Sequence, residues 1–271
     1  MTVIDAHQHF WSLGLPDHHW PGPDLPPIYR DVLPEEFRAI IDPRVAGTVL
    51  VQSQANDGDT DWLLSIANAE PMVLGVVGWV DLASASAPDR IAALAGQPRL
   101  RGLRAMLECI PEVDWLMEEA LTPALQAIVS HDLSLDVLVG PRHLPMLARF
   151  VDRWPDLRVV IDHGAKPFTA PERWGAWKAD IAVLARQGVH CKLSALRVAG
   201  QPDAALRPTV LHLVEQFSDR LMWASDWPVL TLVGEDQGGW LDSAIRMSGL
   251  SGAALDQLLA GCARRFYALG G

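Results

Sequence analysis

Positive charge is what this sequence has least of. Lysines and arginines number 22 against 33 aspartates and glutamates, for a formal net charge of −11. Nucleic acids and anionic membranes select partners with clustered cations, so neither is expected as a ligand. Cysteine is scarce too. Cys109, Cys191 and Cys262 form no C-x-x-C pair, and an odd number cannot all be bridged within one chain. That excludes a disulfide framework and leads to reduced thiols in the cytoplasm as the expected state. No apolar run approaches the ~20 residues of a membrane span. The best, Met72 to Val80, carries two glycines and stops at Asp81. A basic and then apolar leader is missing, because Asp5, His7 and His9 arrive at once. Neither G-x-G-x-x-G nor G-x-x-x-x-G-K-[ST] occurs, which argues against a nucleotide cofactor. No G-x-S-x-G occurs either, so a serine nucleophile on a strand-to-helix elbow finds no support.

What is present is a chain able to bury a core, with 49% hydrophobic and 20% charged residues over 271 positions. Short, nearly continuous apolar runs read as strands covered on both faces: Val3–His7, Gly47–Gln54, Met72–Val80, Leu100–Met106, Leu133–Val139, Leu157–Asp162, Val189–Ser194 and Leu221–Ser225. Helical patterns alternate with them, at Pro34–Ile41, Asp59–Ala69, Pro88–Ala95, Trp115–Ser130, Leu144–Trp154, Trp174–Gln187, Ala204–Phe217 and Leu241–Met247. Eight β/α units at about 34 residues each suit a closed barrel of one domain spanning residues 1–271. Ser251 opens an extra C-terminal helix to Leu269. The stretch Pro16–Pro27 is a long first βα loop over the mouth, the face where such barrels do their chemistry.

Several strand ends carry chemistry. His7 and His9, two apart at the end of the first strand, point to one side and offer two imidazoles to a divalent metal. Asp226 follows the last strand, next to the first in a closed barrel, as a metal-ligand or proton-transfer carboxylate. His163 leaves strand six at the same rim, behind Asp162. Arg104 on strand four shares the parity of Met106 and Glu108, and its guanidinium suits a carboxylate, hydroxyls or a developing oxyanion. Trp11, Trp20, Trp79 and Trp227 map to the mouth, where aromatic faces can hold a sugar-like ring. His18 and His19 lie within reach of it on the first loop.

Taken in order, Asp-Ala-His7-Gln-His9-Phe-Trp, Leu-Arg-Gly-Leu-Arg104-Ala-Met-Leu, Val-Ile-Asp-His163-Gly-Ala-Lys166-Pro, Cys-Lys192-Leu-Ser194 and Trp-Ala-Ser-Asp226-Trp-Pro resemble the amidohydrolase superfamily. They are most similar to its lactonase branch, with L-rhamnono- and L-fucono-lactonases and, more distantly, 2-pyrone-4,6-dicarboxylate lactonase. The resemblance covers Ile4 to Trp227 and includes Pro27-Ile28-Tyr29-Arg30-Asp31. It implies a distorted (β/α)₈ TIM barrel that hydrolyses a cyclic ester. It further implies one divalent ion, zinc, on His7, His9 and Asp226, although the branch also holds members that work without metal. Strand five ends in Asp136 to Gly140 without a histidine, and strand four lacks a bridging lysine, so a second metal is not implied.

In that reading Asp226 and His163 are catalytic, and Arg104, Trp79, Trp227, Tyr29 and Glu108 contact a sugar lactone. A pyrone dicarboxylate or muconolactone lactonase is the rival, and a related decarboxylase or a non-catalytic binding barrel ranks lower. The oligomeric state is left open, a homo-oligomer included.

Overall fold

In the computed structural model, which describes residues 1–270, eight strands stand side by side in chain order and all neighbours run parallel. They are β1 (Val3–Gln8), β2 (Val45–Val51), β3 (Val73–Gly78), β4 (Leu100–Ala105), β5 (Ser134–Val137), β6 (Arg158–Ile161), β7 (His190–Leu193) and β8 (Leu221–Trp223). Their β-branched residues, among them Val49, Val51, Val76, Val77 and Ile161, are fully buried, because helices cover one face and the barrel interior the other. The helices are α1 (Pro34–Ile40), α2 (Asp57–Ala69), α3 (Ala87–Ala95), α4 (Thr122–Ser130), α5 (Leu144–Arg153), α6 (Trp174–Arg186), α7 (Asp203–Phe217) and α8 (Gln237–Ser248). This is the (β/α)₈ barrel expected from the alternation. No helix of the described residues is long and apolar enough to cross a membrane.

The barrel closes through a parallel bridge between Gln8 and Trp227. Two backbone hydrogen bonds of 2.8 Å flank it, His9 N–H to Trp227 O and Asp226 N–H to His7 O. The seam therefore runs through His7, His9 and Asp226, three of the candidate site residues.

Two apolar layers hold the architecture. The larger lies between strands and helices; the smaller fills the barrel, with Ile4, Ala6, Val49, Val77, Val160 and Met222 packed against Cys262, Phe266, Tyr267 and Leu269 of the C-terminal segment. That segment is α9 (Gly252–Asp256) and α10 (Cys262–Phe266), joined by a π turn over Gln257–Gly261. Phe266 packs on His190, the first residue of β7, so the segment plugs the end of the barrel opposite the mouth.

Some expected boundaries shift. The pattern over Trp115–Ser130 is not one helix: two 3₁₀ turns, Trp115–Met117 and Glu119–Leu121, precede α4. Pro123 accounts for the break, since its missing N–H is tolerated only in a first helical turn. β8 stops at Trp223 rather than Ser225, because Ser225 gives its N–H and hydroxyl to the Asp5 carboxylate instead of a strand ladder.

Candidate active site

The first strand makes the site by breaking its own alternation. Between Asp5 and Gln8, β1 has one residue more than β2 has between the facing Thr48 and Leu50. Such a bulge re-aims side chains. Asp5 turns outward, accepting from Ser225 N–H at 2.8 Å, Ser225 Oγ at 2.6 Å and Gln237 Nε2 of α8 at 2.7 Å. His7 and His9 turn into the mouth, their Nε2 atoms 3.0 Å apart. His9 Nδ1 donates to the Val51 carbonyl at 2.8 Å. Asp226 Oδ1 lies 3.3 Å from His9 Nε2, 3.5 Å from His7 Nε2 and 3.8 Å from His163 Nε2. His163 is oriented by Ser194 Oγ, 2.8 Å from its Nδ1. All four groups are buried. His163 and Asp226 both sit in the left-handed backbone region, with φ of 56° and 58°. That costs a non-glycine residue roughly 1–2 kcal/mol, and the strain falls on the two residues aimed at each other.

Electrostatics separates their charge states. Burial alone would raise the Asp226 carboxyl, but His163, His9 and His7 around it outweigh burial and hold it far below the usual carboxylate range. Burial depresses His163 to about 4, against the pull of Asp226 and Asp162. Burial, reinforced by the Lys192 cation, likewise keeps His7 well below the ordinary imidazole value. The centre at neutral pH is thus an ionised carboxylate against neutral His7 and His163.

Two clefts reach the centre, one at Arg104 and one at Asp226. One, of about 420 Å³, is lined by His19, Trp20, Gln54, Trp79, Arg104 and Trp115. Arg104 Nη1 stands 3.5 Å from His7 Nε2, and Nη2 donates to the Gln52 carbonyl. The other, of about 290 Å³, runs from Asp226 past Lys166, Phe168, Leu196, Val198 and Leu232, with mostly apolar walls. Trp11 and Trp20 pack edge to face at 5.2 Å beside His9. Of the first-loop histidines, His19 lines the aromatic cleft, while His18 contacts the Pro21 carbonyl.

Three expected ring contacts are placed elsewhere. Trp227 is 3% exposed and packs on Phe10 and Phe37 in the core, so it is no platform at the mouth. Tyr29 is 42% exposed and lines neither cleft. Glu108 leaves the Arg104 row because a 3₁₀ turn, Leu107–Cys109, ends the alternation; its carboxylate is held at 2.5 Å by Lys166 Nζ.

The ligand atoms of His7, His9 and Asp226 lie within 4.8 Å of one another. Two imidazoles and a carboxylate are donors that suit zinc. For His7 Nε2 to ligate, its proton must sit on Nδ1, which faces Asp162 Oδ1 at 3.3 Å and Lys192 Nζ at 3.0 Å. The residues fit one divalent ion.

The sequence profile described as Amidohydrolase matches residues 4–269, nearly the whole chain. The chain belongs to the amidohydrolase family. This amidohydrolase is 45% identical over 246 residues to an L-fucono-1,5-lactonase of Burkholderia ambifaria, covering 88% of this chain and 85% of the relative. It is 33% identical over 286 residues to an L-fucono-1,5-lactonase of Burkholderia multivorans, covering 98% and 96%. A crystal structure of an amidohydrolase from Burkholderia multivorans with bound zinc superposes with a TM-score of 0.91 at 29% identity, over all of both chains.

The sequence reading of this amidohydrolase passes over a buried layer beneath the histidines. Lys192 Nζ, fully buried, lies 2.5 Å from Asp136 Oδ2, 2.9 Å from Asp162 Oδ1 and 3.0 Å from His7 Nδ1. Tyr267 donates its hydroxyl to Asp136 Oδ2 at 2.6 Å. Burial raises Asp136 against the pull of Lys192; Asp162, which burial would also raise, is instead held low by Lys192 and His7. A signal was available, since Asp136 and Lys192 are charges in the middle of otherwise apolar strands, where unpaired charge is rarely tolerated.

Proposed function

We propose that this amidohydrolase opens a sugar lactone, an aldono-1,5- or 1,4-lactone of the L-fucono or L-rhamnono type, to the sugar acid. The observation that carries the reading is the approach of an ionised carboxylate, Asp226, and a guanidinium, Arg104, each to 3.5 Å from His7 Nε2, with a tryptophan-lined cleft beside Arg104. A lactone carbonyl set against these groups meets a base for water in Asp226 and a cation for the oxyanion in Arg104. The names of the two lactonase relatives support the same chemistry.

In this mechanism Asp226 takes a proton from water as the water oxygen bonds to the carbonyl carbon. Negative charge passes to the carbonyl oxygen, where Arg104 and the neutral His163 N–H stabilise it. The tetrahedral species then breaks its bond to the ring oxygen, and the proton held by Asp226 passes to that oxygen. Water adds across one C–O bond, giving a carboxylic acid and a hydroxyl. Trp20 and Trp79 offer apolar faces to the ring, and Gln54 a polar edge. His7, His9 and Asp226 would hold one divalent ion, zinc, which when bound supplies Lewis-acid polarisation.

The direct test is acid release from a panel of L-fucono-, L-rhamnono- and related aldonolactones, with and without chelator, together with the metal content of the purified protein. Turnover of the neutral sugar lactones is expected; no turnover of any would refute the reading, and full turnover after chelation would remove the metal from it.

The pH profile follows from the charge states. A histidine whose pKa is lowered is neutral everywhere above that value, so His163 stays neutral down to about 4. Asp226 is ionised lower still. The rate constant kcat/KM is therefore expected to stay level between about pH 5.5 and 7.5, without a break near the ordinary imidazole value of about 6.5. An inflection centred on 6.5 would contradict a buried, neutral His163.

A further inference from the structure

We infer that the apolar cleft reaching Asp226 is a second substrate subsite, which takes an alkyl chain carried by the lactone carbon bonded to the ring oxygen. The enzyme then also opens lactones whose chain at that carbon is longer than the methyl of a deoxy sugar. The inference rests on the proposed lactone hydrolysis for the placement of the ring.

The direction of the chain follows from the path of the proton. In ring opening the proton held by Asp226 passes to the ring oxygen, so that oxygen faces the Asp226 carboxylate. The carbon on its far side carries the substituent outside the ring. That substituent leaves the ring beside Asp226, where the cleft of about 290 Å³ begins. The carbonyl and the ring stay with Arg104 and the tryptophans of the other cleft. Water adds across the same C–O bond as before, and the product is a hydroxy acid with the alkyl chain on its new alcohol carbon.

The walls favour an alkyl chain over a charged or hydroxylated one. Phe168, Leu196, Val198, Val229 and Leu232 supply most of the lining. Past Asp226, each charged side chain there is already paired. Lys166 Nζ holds Glu108 at 2.5 Å, and Arg197 holds Glu235 at 2.8 Å and Asp203 at 2.6 Å. The Ser225 hydroxyl is given to Asp5. The volume approaches the ~300 Å³ at which pockets take whole small ligands, far more than one methyl fills. Phe168 and Val198 are 38% and 45% exposed, a cost in water that a bound chain removes. A neighbouring cleft of about 500 Å³ shares Phe168, Leu196 and Val198 and adds Pro171, Trp174 and Pro208, so a longer chain meets further apolar surface.

The test uses 6-methyl-, 6-propyl- and 6-pentyl-δ-lactams, in which N–H replaces the ring oxygen and the ring resists hydrolysis. They are titrated calorimetrically into the protein as purified, beside kcat/KM on the matching δ-lactones and on a sugar lactone. Each buried methylene should tighten Kd about fourfold, so propyl should bind roughly sixteenfold better than methyl, and kcat/KM should rise in step. Val198→Asp and Leu232→Asp each set a carboxylate among the walls at a position that is not buried, so the fold is expected to hold. Either should bring the propyl-to-methyl ratio to within about threefold of one, since a charge in the wall forfeits the apolar gain. A wild-type series that is flat or worsens with chain length, or a ratio that both variants leave intact, would overturn the subsite. So would a flat series in a dimer that Val198→Asp dissociates, because a second copy would then cover the cleft. Lactams that tighten with chain length while no lactone is hydrolysed would refute the proposed function and leave the subsite. Sugar lactones hydrolysed beside a flat alkyl series would do the reverse.

Discussion

Asp226→Asn should lower kcat by about a hundredfold or more, the usual scale for losing a general base, while the barrel stays folded. Asparagine keeps the size and the oxygen of aspartate but cannot take a proton from water. The fold is expected to survive because the flanking His7 and His163 are neutral, so no cation loses its only partner. The backbone N–H of Asp226 still bonds His7 O at 2.8 Å, so the seam between β8 and β1 does not depend on the carboxylate. KM should change little, because the proton transfer is made in the transition state rather than in the bound ground state. Steady-state kinetics with a thermal melt of both proteins decides the matter. Activity within a few-fold of wild type at an unchanged Tm would remove Asp226 from the base role.

How much of this was legible beforehand depends on whether a feature is local. The β/α alternation is local, since each strand is a short apolar run and each helix a periodic one. That His7, His9, His163 and Asp226 come together was legible because the C-terminal end of a barrel strand is a definite address in such a fold. Trp227 was misplaced for a non-local reason. Its neighbours in sequence are site residues, yet Phe10 and Phe37, from β1's exit and α1, build an aromatic pocket that takes its ring. Glu108 was misplaced by a single 3₁₀ turn, which no alternation rule foresees. The bulge in β1 worked the other way: strict alternation puts Asp5 and His7 on one side, and the extra residue separates them. Lys192, Asp136, Asp162 and Tyr267 come from four separate elements. Their pairing follows only from barrel closure and from the C-terminal segment entering the barrel.

Arg104→Met should reduce kcat/KM on a neutral sugar lactone by roughly ten- to a hundredfold, since hydrogen bonds to charged groups contribute about 1.5–3 kcal/mol. The loss should come mainly in kcat, if the guanidinium meets an oxyanion that exists only in the transition state. Asp162, 3.5 Å from Arg104, keeps Lys192 at 2.9 Å, so the substitution leaves no orphaned carboxylate to unfold the protein. The same arginine discriminates between the two lactonase readings. A pyrone dicarboxylate brings two carboxylates and needs cations to receive them. Arg30 is bound to Glu36, Arg197 to Asp203 and Glu235 at 2.6 and 2.8 Å, and Lys166 to Glu108 at 2.5 Å. Each of these cations at or near the mouth already has an anionic partner. Arg104, whose contact to Asp162 is the loosest of these at 3.5 Å, is then the cation facing the aromatic cleft, enough for one developing oxyanion and too few for a doubly charged ring. Sugar lactones should therefore be hydrolysed with a KM that barely responds to salt, because screening acts on charged pairs, and pyrone dicarboxylate should be turned over poorly. Rapid pyrone hydrolysis with a steep salt dependence would mean that Glu108 or Glu235 releases its partner to the substrate, and the sugar reading would give way to the dicarboxylate one.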